Sequence, residues 1–401
     1  MDGTSTARRR GGALVAEWLL AAACLAPLAL MPLARDQGHF AYAGQVILDG
    51  GLPYRDVFDQ KGPATHYTFA AVLALFGQTQ FGVRAFFFIV ALLATRLAAT
   101  LGERLAGPAA RLPCVLCFSL AMFQGDEATP WHTAQVEDLI LLGQLLVLWL
   151  IGSEPSLQSR WRVFAAGLLL GLTCTYKPTA VLPSAALAAA CVGWLVILRG
   201  RRTVSLVHWL AWGTAGFAVP LLVALGYLTA CGALDDCWSI IVEFNAAYAL
   251  RKNEIDKAVT MLAGHWGRLV VLASLGALGA KRQKAVLLDA LFWALIASNW
   301  AAVVWQGKYW PYHWTPMIGL VSIFAGVSLS QIMCRVARRF RSVRAPAFRF
   351  CPAAVAMALA LLAVPVDARY ALHLWRDTAL VAVGQKSLDE FRAPFECGAV
   401  L

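Results

Sequence analysis

Between Arg35 and Pro63 the chain reads RDQGHFAYAGQVILDGGLPYRDVFDQKGP, and this stretch gathers most of the residues that could do chemistry. It holds four acids, Asp36, Asp49, Asp56 and Asp59, together with Arg55, Lys61 and His39. Carboxylates and an imidazole can move protons, while a lysine or arginine can hold an anion. Further candidates lie downstream: His132, Glu137 and Asp138, then Lys177 before a proline, then Lys308, Tyr312 and His313 within QGKYWPYHW. Glu137, Asp138 and Lys177 adjoin apolar runs, where a charge is costly to keep.

The element carrying Asp36 reads as a helix. His39, Phe40, Ala43, Val46, Ile47 and Gly50 share one helical face, and Gly50-Gly51 ends it. Pinned between two long apolar runs, such a helix lies at a bilayer surface with its acids toward water. Asp36 could equally serve as the cap of that helix, since aspartate favours helix starts.

Composition places the rest. Of 401 residues, 60% are hydrophobic and 14% charged, and the mean hydropathy is +0.64, far above soluble usage. Apolar runs fall at roughly 12–34, 81–102, 112–123, 136–152, 161–176, 179–198, 205–230, 264–280, 285–305, 313–333 and 348–366. The expectation is an all-α polytopic membrane bundle of about eleven spans, with amphipathic interfacial helices in the first external loop. It forms one membrane domain over residues 1–366, followed by a short external tail, residues 367–401. The first run, preceded by Arg8, Arg9 and Arg10, is too long for a cleaved signal and reads as a retained anchor.

Lysine and arginine crowd short loops such as RGRR and KRQK, which the positive-inside rule places in the cytoplasm. Only Asp2, Glu17, Glu103, Glu154 and Asp289 accompany them there. The N-terminus is therefore expected inside, the C-terminus outside, and the Arg35–Pro63 stretch outside. The net charge of +11 is then topology, and no nucleic-acid partner is implied. Cysteines such as Cys24, Cys114 and Cys191 sit in apolar runs as small hydrophobes, whereas Cys231 and Cys237 flank an external loop and could be joined there. No P-loop, GxGxxG, HExxH or GxSxG element is present, which removes nucleotide hydrolysis and serine or zinc protease chemistry.

An acid directly after the first span, in DQGHFAYAGQVILDGGLPYRDVFDQKGP, followed by LFG and Arg84, resembles the opening of the GT-C membrane glycosyltransferases. The likeness is to the bacterial branch related to protein O-mannosyltransferases and aminoarabinose transferases, and it is specific over about residues 34–84. It implies an inverting transfer of sugar from a polyprenyl-phosphate carrier to a glycan, lipid or protein acceptor outside the plasma membrane. Asp36 would be the general base, and Lys61, helped by Arg55 and Lys177, would hold the donor phosphate. Glu137, Asp138, His132 and His39 are candidates for the acceptor or a divalent cation, although no metal-type spacing supports the cation. Lys308, Tyr312 and His313 would contribute from the last external loop. Many relatives carry Asp-Glu where this chain has Asp36-Gln37, and several carry a soluble C-terminal domain. Two rival classes are a transporter or lipid flippase and a noncatalytic membrane subunit.

Overall fold

A computed structural model describes residues 3–123, 129–197, 206–249, 255–279, 285–340, 352–364 and 366–396. Among them there is no strand, and twenty α-helices follow one another. The first seven are α1 (Gly3–Leu30), α2 (Arg35–Leu48), α3 (Pro63–Phe76), α4 (Gln80–Ala106), α5 (Arg111–Phe123), α6 (Thr129–His132) and α7 (Val136–Ile151). Next come α8 (Glu154–Leu157), α9 (Arg160–Tyr176), α10 (Val181–Ile197), α11 (Leu206–Ala230), α12 (Leu234–Trp238), α13 (Asn245–Ala249) and α14 (Ile255–Thr260). The last six are α15 (Gly267–Gly279), α16 (Val286–Gln306), α17 (Thr315–Phe340), α18 (Pro352–Ala363), α19 (Ala368–Ala382) and α20 (Leu388–Glu396).

The eleven apolar runs fall on α1, α4, α5, α7, α9, α10, α11, α15, α16, α17 and α18. Five described segments are long and apolar enough to cross a membrane: Gln80–Ala106, Pro178–Ile197, Leu206–Ala230, Val286–Gln306 and Pro311–Arg338. Two bent pairs raise the number to seven. Helix length sets the others apart. The 13 residues of α5 rise about 20 Å against a hydrocarbon core of about 30 Å. The chain is a multi-pass helical membrane protein whose interior is filled partly by shorter helices.

Close backbone contact and paired amides hold the bundle together. Helices α9 and α11 meet at Gly167, Gly171, Gly213 and Gly216, and a Cβ on Gly167 would fall 2.2 Å from the Gly213 carbonyl oxygen. Small residues at such crossings let helices pack where lipid offers no hydrophobic drive. Buried Gln144 on α7 and Asn299 on α16 exchange reciprocal bonds of 3.1 and 2.9 Å. At the opposite end from Asp36, Arg111 grips Glu17 through two 2.6 Å bonds and also binds Glu103, tying α1, α4 and α5.

The first bent pair shapes the site. Segment Leu14–Leu30 of α1 and helix α2 meet at 75° across a four-residue break, so α2 turns away from the bundle axis. It packs on α3 through Phe40 and Phe69, whose rings meet edge to face at 5.4 Å. Its far side leaves Tyr42 exposed.

The residues after 366 dock onto the bundle. The Trp375 indole donates to the Cys24 carbonyl at 3.1 Å and stacks on Phe123, while Arg392 donates to the Leu30 carbonyl at 3.0 Å. Cys231 and Cys237 are both free thiols.

Candidate active site

Two buried side chains lock the bend that carries Asp36. The Gln37 amide oxygen accepts from the Ala34 N–H at 3.1 Å, supplying the helix start with its cap. Its amide nitrogen donates to the carbonyls of Pro130 (3.0 Å) and Thr133 (2.6 Å). Arg84, buried in α4, donates to the Pro130 carbonyl at 3.0 Å, to the Thr133 hydroxyl at 2.9 Å, and to the Pro32 carbonyl. Together they clamp the 130–133 turn against the α1–α2 bend. Asp36 therefore sits inside the first turn of α2 rather than at its cap, with its carboxylate free for other partners.

That carboxylate accepts from Arg35 Nε at 3.3 Å, and its side chain is 25% exposed. It lines a cavity of about 770 Å³ whose wall also carries His39, Lys61, Lys177, Lys308, Tyr312 and His313. The lysines arrive from three places in the chain. The backbone turn that leads from α2 into α3 brings Lys61, whose own N–H donates to Asp59 Oδ1 at 2.9 Å. The C-cap of α9 brings Lys177. The loop between α16 and α17 brings Lys308, whose ammonium lies over the Tyr248 ring.

Lys61 and Lys177 share one counter-ion. Glu137 Oε1 accepts from Lys177 Nζ at 2.6 Å and from Lys61 Nζ at 3.5 Å, and the Glu137 side chain is 2% exposed. The second carboxylate oxygen, Oε2, is buried without a hydrogen-bond donor. Lys61 Nζ also lies 5.6 Å from the Tyr312 ring centre, a cation–π distance. Three ammonium groups thus face one cavity, and two of them share the Glu137 carboxylate behind its wall. Burial drives the Lys177 ammonium down to about 8 despite Glu137 beside it. Burial and neighbouring Lys61 bring Lys308 down to about 8 as well.

Behind Lys61, Asp59 is buried with His66 Nε2 at 3.2 Å and His39 Nε2 at 3.6 Å from its Oδ2. Burial raises the Asp59 carboxyl, but the His66 contact and the Lys61 N–H hold it below its ordinary value. His39 Nε2 also contacts the Phe58 carbonyl at 2.8 Å. The His313 ring nitrogen Nδ1 contacts the Lys308 carbonyl at 2.8 Å and so fixes the last loop.

Three sequence candidates lie elsewhere. Arg55 is directed away from the lysines, with Nη2 donating to the Gly232 carbonyl and Nε 3.5 Å from Asp236; it fastens the first external loop to α12. Its charge suggested an anion partner, but its position within the 53–57 turn directs it to α12. Asp138 accepts from the Gln135 N–H at 3.1 Å and caps α7, one residue around the helix from Glu137. His132 lines a second cavity of about 410 Å³ on the other side of Asp36, with Trp131, Trp310 and Tyr312. Glu137, His132, His39 and Asp138 therefore do not converge, and no group of three or more His, Cys, Asp or Glu that could hold a metal occurs among the described residues.

Sequence reasoning passed over several of the residues that frame the cavity. Asn245 donates to the Gln60 carbonyl at 3.1 Å, and Tyr248 and Trp305 complete the wall. The first two come from the long external loop, whose polar residues carry no periodic signal that would link them to residue 60.

No protein-family model matches the sequence, and no curated protein matches it. Solved structures do. The crystal structure of ArnT from Cupriavidus metallidurans bound to undecaprenyl phosphate superposes with a TM-score of 0.58 at 15% identity, over 97% of this chain and 75% of that one. The apo state of the same protein gives 0.54 at 15% identity, over 98% and 75%. An Archaeoglobus fulgidus oligosaccharyltransferase aligns more distantly, at 0.45 and 14% identity, over 95% and 57%. The fold is therefore that of ArnT.

Proposed function

We propose that this chain is an inverting glycosyltransferase, moving a sugar from a polyprenyl-phosphate carrier to a hydroxyl of a cell-envelope acceptor. One observation carries the reading: Asp36 and three lysines from separate elements line the same cavity. ArnT, which shares the fold, is a structure bound to undecaprenyl phosphate, a carrier of this chemical class. The basic loops argue for an N-terminus in the cytoplasm and a site at the outer face of the plasma membrane.

In this mechanism the Asp36 carboxylate takes the proton from the acceptor hydroxyl as its oxygen attacks the anomeric carbon. The new C–O bond forms opposite the leaving phosphate, so the configuration inverts. The C–O bond to phosphate breaks, and the carrier leaves as polyprenyl phosphate. Its growing negative charge falls to Lys61, Lys177 and Lys308, held in place before the reaction, which is the economical way to stabilise charge in a transition state. Arg35, whose Nε donates to Asp36 Oδ1 at 3.3 Å, keeps the base oriented.

The test is Asp36→Asn in the full-length protein reconstituted with lipid-linked sugar. Gln37, not Asp36, caps the helix, so the variant should fold and bind undecaprenyl phosphate normally while transfer falls at least about a hundredfold, the low end of general-base effects. Transfer at the wild-type rate would remove the base role. Undecaprenyl phosphate binding unaffected by Lys61→Ala and by Lys177→Ala would remove the donor site.

A further inference from the structure

Asp36 stands in a wall shared by two cavities that differ in chemistry. Arg35, Asp36, Trp310 and Tyr312 line both. The lysines face only the first. The second, at about 410 Å³, lies within the range of roughly 300–1,000 Å³ typical of small-molecule sites. It is built from the start of α2, from α6 and from the loop before α17. These elements lie at the break of the bent pair Leu14–Leu30 and Arg35–Leu48, at the head of the candidate span Pro311–Arg338, and outside the other four unbroken ones.

From these features we infer that the second cavity is an acceptor site for a neutral sugar unit, held by stacking on Trp131 and Trp310. This inference rests on the transfer reading and narrows its acceptor class. Two indole rings flank the space, and both remain well exposed, Trp131 at 40% and Trp310 at 59%. Exposed indoles on a water-facing wall offer an apolar face with a polar edge, the combination that suits the C–H face and hydroxyl rim of a pyranose. The cavity adds little charge. Arg35 and Asp36 already contact one another, and His132 is kept neutral, because burial and nearby His265 lower it to about 4.

Other acceptors suit this space less well. A peptide acceptor would need free main-chain groups to pair with, yet the Pro130 and Thr133 carbonyls already receive Gln37 and Arg84. An anionic acceptor would find no lysine on this side. A sugar hydroxyl reaching Asp36 from the second cavity would meet the donor carbon from the face opposite the lysine-bound phosphate, as inversion requires.

The two cavities can be separated because Trp131 lines only the second and Trp305 only the first. The experiment uses purified full-length protein in detergent and saturation-transfer NMR. The probes are neutral di- to tetrasaccharides of glucose, galactose, mannose, rhamnose and N-acetylglucosamine, with serine- and threonine-containing peptides as the alternative. Undecaprenyl phosphate binding is measured in parallel. At least one saccharide should bind, and Trp131→Ala should weaken it at least about tenfold, a loss in the range of one or two aromatic contacts. Undecaprenyl phosphate affinity should stay unchanged in that variant, which also shows that it is folded. Trp305→Ala should leave the saccharide signal intact. Peptide binding without saccharide binding, or a saccharide signal indifferent to Trp131→Ala, overturns the inference. In either case retained undecaprenyl phosphate binding leaves the donor reading standing, while loss of lysine-dependent phosphate binding would fell that reading itself.

Discussion

The Gly62 amide donates to the Tyr176 carbonyl at 2.9 Å, and this bond brings the next residues along each strand of chain, Lys61 and Lys177, to one carboxylate. The approach leaves no room for a side chain. A Cβ on Gly62 would lie 2.1 Å from the Thr175 carbonyl oxygen and 2.8 Å from its carbon. The constraint is space and not backbone conformation, because Gly62 has φ −67°, which any residue adopts. Gly62→Ala should therefore push α3 off the end of α9, at a cost of about 1–3 kcal/mol for overpacking. The expected result is a lower thermal midpoint together with undecaprenyl phosphate binding weakened at least about tenfold. Gly38→Ala is the control, since nothing lies within 4 Å of a Cβ there. Equal behaviour of the two variants would break the link between this contact and the lysine pair.

The lysines should set the alkaline limit of donor binding. Lys177 is lowered to about 8 by burial, whereas an ordinary lysine keeps its proton to about pH 10. Phosphate binds the ammonium form, so donor affinity should be flat to about pH 7 and fall about tenfold per required lysine by pH 9. Stability should move the other way. A lysine whose pKa is lower folded than unfolded binds fewer protons in the native state between about 8 and 10.5, so folding is favoured as pH rises through that window. A titration of carrier affinity and thermal midpoint across pH 6–10 checks both signs. A donor affinity constant to pH 10 would contradict the assignment.

What could be read along the chain and what could not divide on a physical line. The helix 35–48, its stop at Gly50 and the apolar runs are local, periodic features, and each is found in the fold. The cavity is not local. Glu137 reaches 76 residues back to Lys61 and 40 forward to Lys177, and no periodicity records that meeting. Arg55 and Asp138 illustrate the reverse error, since a charge beside an apolar run signals that a partner exists but not where it lies. An apolar run as short as the 13 residues of α5 reads along the chain like a span, yet a packed interior can hold it too.

Position 37 separates a fold role from a lost catalytic acid. The Gln37 amide nitrogen donates to two carbonyls while its oxygen accepts from Ala34, a use that glutamate cannot reproduce. Gln37→Glu would set a carboxylate oxygen against the Pro130 and Thr133 carbonyls, losing two buried hydrogen bonds at about 0.5–1.5 kcal/mol each and adding acceptor–acceptor repulsion. The variant should therefore lower the thermal midpoint and reduce transfer, and Gln37→Ala should do likewise. Faster transfer in Gln37→Glu would mean that a second acid beside Asp36 assists the chemistry.

Glu137 gives the sharpest separation between a structural ion pair and a phosphate site held ready. Its Oε1 accepts from both lysines while Oε2 is buried without a donor, so one negative charge serves two ammonium groups. The excess positive charge is what an arriving phosphate would neutralise. Glu137→Gln keeps the shape but removes the charge, leaving Lys61 and Lys177 in mutual repulsion at low exposure, 13% and 12%. Breaking a buried pair in this way costs about 3–5 kcal/mol, so the carrier-free protein should melt well below wild type. The carrier phosphate would then replace the missing carboxylate, and ligand that binds only the folded state raises its stability. Undecaprenyl phosphate should accordingly raise the melting temperature of Glu137→Gln more than that of wild type. A carrier-induced shift smaller than in wild type would mean that Glu137 orients the lysines for phosphate, and that charge balance alone does not make the site.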